Sequence, residues 1–131
     1  MKQLRWMIRS DVPQCSKMNK DWSEDEYMKQ LRQRNVIGKV VVDDSLDKVY
    51  GHIIYELHKT RLEIVILIFE EEEVAIMLID DLIGKVTNHS QRSKLSVNVY
   101  LERLELVNLF KKKGFIGSLK EDDVIEMIYS I

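Results

Sequence analysis

Four consecutive carboxylates, Glu70, Glu71, Glu72 and Glu73, join an apolar run from Leu62 to Phe69 to a second apolar stretch from Val74 to Val86, with no glycine between. A strand, a short turn and a helix in that order build an anion site when the free N–H groups of the first helical turn face a phosphate. Carboxylates there suit a cation or a basic partner instead, and they also have an ordinary role in stabilising a helix N-terminus through its dipole. If the run binds anything, Glu70, Glu71, Glu72 and Glu73 are its interaction residues.

A second pair, Glu56 and Glu63, brackets the reversal His58-Lys59-Thr60 and faces across a hairpin. Such a pair can act as bases through water, although charge on a sheet surface is its common meaning. His52, His58 and His89 share no ligand spacing with one another or with Cys15, so no metal is expected. Cys15 reads as a small buried residue on a helix, with no His or acid beside it to activate the thiol. The basic strings Arg32-Gln33-Arg34 and Lys111-Lys112-Lys113 each close a helix, where cations suit the dipole. Neither is interleaved with aromatics as a single-strand binder requires.

The elements that must hold these groups follow from hydrophobic period. Leu4, Trp6 and Ile8 alternate in a strand over Gln3 to Arg9, and Asp11 and Pro13 open a short helix. Ser23 with Glu26 is a capping box for a helix through Arg34. Val36 to Val42 and Val49 to Leu57 are strands around a polar turn at residues 43–47. Leu62 to Phe69 is apolar on both faces and belongs at the centre of the sheet. A long helix from Val74 to about Asn88, a strand over Lys94 to Tyr100, and a helix from Leu101 to Lys113 capped by Gly114 follow. Phe115 to Leu119 and Val124 to Tyr129 close the chain as a hairpin. The order β-α-α-β-β-β-α-β-α-β-β is an α/β single domain over 1–131, a mixed sheet flanked by helices.

Composition narrows the partners. With 131 residues and 45% hydrophobic content the chain can build one ordinary core. Its 20 basic and 22 acidic residues give a net charge of -2, which offers no general attraction to nucleic acid or anionic membrane. One cysteine, no membrane-length apolar run and no signal-peptide pattern point to a cytoplasmic setting.

In this order and spacing, several strings resemble the Gcn5-related N-acetyltransferases, in particular the ribosomal-protein and protein N-terminal branch. Arg5 to Asp11 resembles the family's opening segment, and Trp22-Ser23-Glu24 its second-helix start. Val49-Tyr50-Gly51 resembles its "V-x-G" strand, and Leu109 to Phe115 its closing "Y-x-x-x-G-F". The resemblance covers nearly the whole chain. It implies acetyl transfer from acetyl-coenzyme A to an amine, with pyrophosphate held by an "R/Q-x-x-G-x-G/A" loop at the start of the long helix. Neither that basic residue nor either glycine occurs between Phe69 and Ile79. The position matching the family's proton-donating tyrosine is Phe110, and Arg103 matches a common asparagine. The loops between Pro13 and Trp22 and between Leu119 and Val124 read as shortened.

These departures lead to the expectation of an acetyltransferase-like domain without catalysis, without a cofactor, and acting through a protein partner or self-association. Such pruning suits small genomes that reuse host-like folds, a viral one among them. The alternative is an acetyl-CoA dependent N-acetyltransferase acting on a protein or small-molecule amine, with Glu56 and Glu63 as its bases. The resemblance further implies that the strands at Leu62 to Phe69 and Lys94 to Tyr100 splay into a wedge around Leu67, Ile68, Val97 and Val99.

Overall fold

The computed structural model describes residues 1–88 and 91–131. The strands are β1 (Gln3–Trp6), β2 (Val36–Asp43), β3 (Lys48–Leu57), β4 (Arg61–Phe69), β5 (Lys94–Tyr100), β6 (Ile116–Glu121) and β7 (Val124–Ser130). The helices are α1 (Val12–Met18), α2 (Glu24–Leu31), α3 (Glu72–Thr87) and α4 (Leu104–Lys112). One seven-stranded sheet runs in the order β1-β2-β3-β4-β5-β7-β6. All neighbours are antiparallel except β4 and β5, which are parallel. The doubly apolar β4 is therefore the middle strand, as its sequence requires.

Each face of the sheet carries one apolar cluster. Leu62 and Ile64 of β4 pack with Leu78, Leu82, Phe110 and Met127 on the α3 side. Ile54 and Val40 pack with Val12, Cys15 and Tyr27 on the α1–α2 side. Burying a Leu or Ile fully contributes roughly 1.5–3 kcal/mol, so α3, with six buried residues, anchors the domain. At the N-terminus, the buried Asp11 accepts from Arg5 at 2.8 and 3.0 Å and from the Ile8 amide at 2.8 Å, fixing β1 to the entry of α1.

Several boundaries differ from the expected ones for local reasons. Strand β1 ends at Trp6 rather than Arg9, because Arg9 to Asp11 form a short 3-10 turn. Helix α2 ends at Leu31 rather than Arg34, where Gln33 N–H bonds Gln30 O at 3.1 Å in a tighter turn. Helix α3 starts at Glu72 rather than Val74, because carboxylates are favourable in a first turn. Helix α4 starts at Leu104 rather than Leu101, since Arg103 N–H bonds Tyr100 O at 2.9 Å and makes a turn of the intervening residues. The glycine of Val49-Tyr50-Gly51 has a packing reason. A Cβ at Gly51 would lie 2.6 Å from Val74 Cγ1 and 2.8 Å from Ile68 O, so only glycine lets α3 seat against β3 and β4.

Candidate functional site

The ladder between β4 and β5 holds for four pairs, from Arg61–Lys94 to Ile64–Val97, and then stops. Beyond that point β4 stays with β3 as far as the Phe69–Gly51 pair, while β5 follows β7 to Tyr100–Val124. The two strands diverge, and a cleft of about 210 Å³ opens between residues 65–68 and 98–100. Leu67, Ile68, Val97 and Val99 line it, as the splayed-strand expectation requires. Phe110 of α4 and Trp22 and Asn19 of the α1–α2 connection also border it. A second cleft shares Val65, Asn98, Val99 and Tyr100 and continues toward Lys120 and Glu121 of β6. Beyond Ile64 the β4 main chain on this side has no strand partner among the described residues, and such an edge accepts an extended ligand by backbone hydrogen bonds.

The connection from β4 to α3 consists of Glu70 and Glu71. Glu71 is the N-cap in extended conformation, and no side chain caps the helix. Helix geometry thus leaves first-turn donors without an intrahelical acceptor, and the glutamates do not take them. Two glutamates instead turn to lysines: Glu73 meets Lys2 at 2.6 Å, and Glu70 meets Lys48 at 3.7 Å. The Lys2 contact holds the Glu73 carboxyl below its ordinary range, and both ammonium groups also lie over the Tyr50 ring, at 4.8 and 4.9 Å. Glu71 and Glu72 are exposed. Two members of the expected interaction run are thus engaged within the chain.

Glu56 and Glu63 are direct cross-strand partners, as expected. Between them, His58 Nε2 lies 2.9 Å from Glu63 Oε1 and 3.5 Å from Glu56 Oε2. Arg61 reaches the same Glu63 oxygen at 3.3 Å and Ser96 Oγ at 3.2 Å. Glu63 precedes Ile64, the last β4 residue paired with β5, and alternation puts it on the same face as Val65, which borders both clefts. No local pattern signals that His58 folds back between the carboxylates, because it lies in the turn between β3 and β4. His89 lies outside the described residues.

A buried polar group lies under α1 and α2. The Tyr27 hydroxyl contacts His52 Nε2, receives Asn19 Nδ2 at 3.2 Å and lies 3.4 Å from Cys15 O. His52 is wholly buried, its Nδ1 has no partner among the described residues, and burial lowers its pKa to about 4. Burial likewise pushes the Cys15 thiol up to about 12, which keeps it protonated and unreactive, in line with the expected structural role. Asn19 connects this group to the wedge wall.

No protein-family profile matches the chain, and no curated protein sequence matches it. Solved structures do. NAA60 of Arabidopsis thaliana in complex with acetyl-CoA superposes with a TM-score of 0.83 at 11% identity, over 100% of this chain and 99% of that one. The ribosomal-protein-S18-alanine N-acetyltransferase of Escherichia coli gives 0.84 at 13%, covering 100% and 94%. The PaiA N-acetyltransferase of Thermoplasma acidophilum, solved with coenzyme A, gives 0.83 at 11%, covering 100% and 99%. The expectation of a domain without a cofactor is overturned here: structures superposing on the whole chain were solved with acetyl-CoA or coenzyme A, and the wedge between β4 and β5 is open. The loop sequence does not decide the matter, because the uncapped helix end and the free β4 edge come from backbone geometry. In architecture, element order and whole-chain superposition, this protein has the Gcn5-related N-acetyltransferase fold.

Proposed function

We propose that the chain binds acetyl-coenzyme A along the β4–β5 wedge and transfers the acetyl group to an amine. The observation that supports this most directly is the parallel ladder stopping after Ile64 and Val97, which leaves a free strand edge beside a cleft. The edge residues 65–68 suit the amides of an extended arm, and the first-turn donors of α3 suit phosphate. The glutamate run would oppose an anion, and Lys2 and Lys48 offset part of that charge.

When bound, the cofactor supplies an activated acetyl thioester. Glu63, with Glu56 opposite it, is the base in this reading and takes the proton of the attacking amine through water. The distance favours a relay, because Glu63 sits two residues, roughly 6.7 Å along the strand, from Val65 at the cleft. Phe110 carries no proton to give. Tyr100 borders both clefts, and in this reading its phenol protonates the departing sulfur.

Phe110 and the carboxylate-rich helix start support a second reading, a domain that binds the cofactor without turning it over. Calorimetry with acetyl-CoA and coenzyme A, followed by a thiol-release assay over a panel of amines and peptide N-termini, separates the two. Binding with release supports the enzyme, binding without release supports the second reading, and no heat at millimolar ligand overturns both.

A further inference from the structure

Glu56, His58 and Glu63 form a mixed carboxylate and imidazole cluster whose ligand atoms all lie within 4.8 Å of one another. The three sit on the ends of β3 and β4 and in the turn between them, so the hairpin itself fixes their relation. Two carboxylates directly opposite across a strand pair repel, and a site that keeps both calls for positive charge between them. The chain supplies positive charge to Glu63 alone, from the Arg61 guanidinium, while the His58 imidazole stands between the two carboxylates as a nitrogen donor.

We propose that this cluster is a binding site for a borderline divalent cation of the zinc type, held by Glu56, His58 and Glu63 with its remaining positions open to water. The donor set of one imidazole nitrogen and two carboxylate oxygens suits zinc, and oxygen-only cations such as magnesium gain nothing from the imidazole. Donors on one zinc stand roughly 3–3.5 Å apart, so the present spacings of 2.9 and 3.5 Å need only small side-chain rotations to close on an ion. The side chains are 30–32% exposed, which gives an ion a way in. Arg61 must leave Glu63 for this to happen, and Ser96 Oγ, already 3.2 Å from its Nε, keeps it anchored when it does. An ion here would occupy the carboxylates that the proposed acetyl transfer uses as bases, so zinc would act as an inhibitor. The metal site itself does not rest on that reading.

The test is calorimetric titration of the apo protein with zinc chloride at pH 7, repeated by absorption with cobalt as a coloured substitute. The expected result is one-to-one binding, with visible cobalt bands of low coordination number. His58→Ala should weaken binding at least ~tenfold and Glu63→Gln similarly, while Asp25→Asn on α2 leaves it unchanged. Circular dichroism confirms that each variant is folded. Absence of zinc binding, or equal affinity in a folded His58→Ala protein, overturns the proposal. Neither result depends on whether acetyl-CoA is turned over.

Discussion

Gly51 and Val74 meet so closely that the missing Cβ of one defines where the other can sit: a methyl group at Gly51 would come within 2.6 Å of Val74 Cγ1. The start of α3, and with it one end of the wedge, is positioned by that contact. Gly51→Ala should cost about 1–3 kcal/mol by overpacking, because Ile68 O, a backbone atom, blocks the other side. Urea unfolding measures it, and a change within error would show that α3 can shift without loss.

Filling the wedge should abolish cofactor binding while sparing the fold. Ile68 is half-buried and lines the cleft, so Ile68→Trp adds bulk where the arm would lie. A loss of acetyl-CoA affinity of at least ~tenfold, about 1.4 kcal/mol, is expected by calorimetry. Wild-type affinity in a folded variant would place the ligand elsewhere.

If Glu63 is the base, Glu63→Gln lowers kcat about 100-fold and leaves the KM for acetyl-CoA unchanged, since the residue lies outside the cleft lining, two residues before Val65. Steady-state kinetics with saturating amine decides it. A KM change alone would make Glu63 a binding residue.

Acid should destabilise the protein through His52. Its folded pKa is about 4 against an ordinary 6.5, so the folded state favours the neutral ring. The unfolded chain takes up the proton first as pH falls from 6.5, and stability declines until about pH 4, where folded His52 also protonates. The total is on the order of 3 kcal/mol for this shift. Thermal melts across that window should show the slope, and His52→Leu should flatten it. An unchanged slope in the variant would assign the effect to other groups.

The elements were legible because period and capping are local. The alternation in β1 and β5, the doubly apolar β4 and the Ser23 cap, whose Oγ accepts Glu26 N–H at 3.2 Å, all emerge from short windows. The Glu56–Glu63 pairing was legible for the same reason, being a hairpin relation. What stayed hidden depends on strands far apart in sequence. Lys2 reaching Glu73, Lys48 reaching Glu70, and Tyr27 meeting His52 require the sheet order before they can be seen. Lys39 is buried, with its ammonium 4.4 Å from the Trp6 ring centroid and 3.8 Å from Asp81, partners that also come from distant elements. The surroundings of the glutamate run are hidden in the same way: four glutamates in a row say nothing about which lysines face them.

The short β4–β5 ladder also has a mechanical consequence. Strands β1 to β4 and strands β5 to β7 are two halves of the one sheet, joined at a seam of four residue pairs. Elsewhere they are held by the shared apolar cluster under α3 and α4, whose contacts have no preferred direction. The angle between the halves can therefore change while few backbone bonds are lost, so a ligand laid in the seam would act as a missing strand and lock the two halves into one rigid plate.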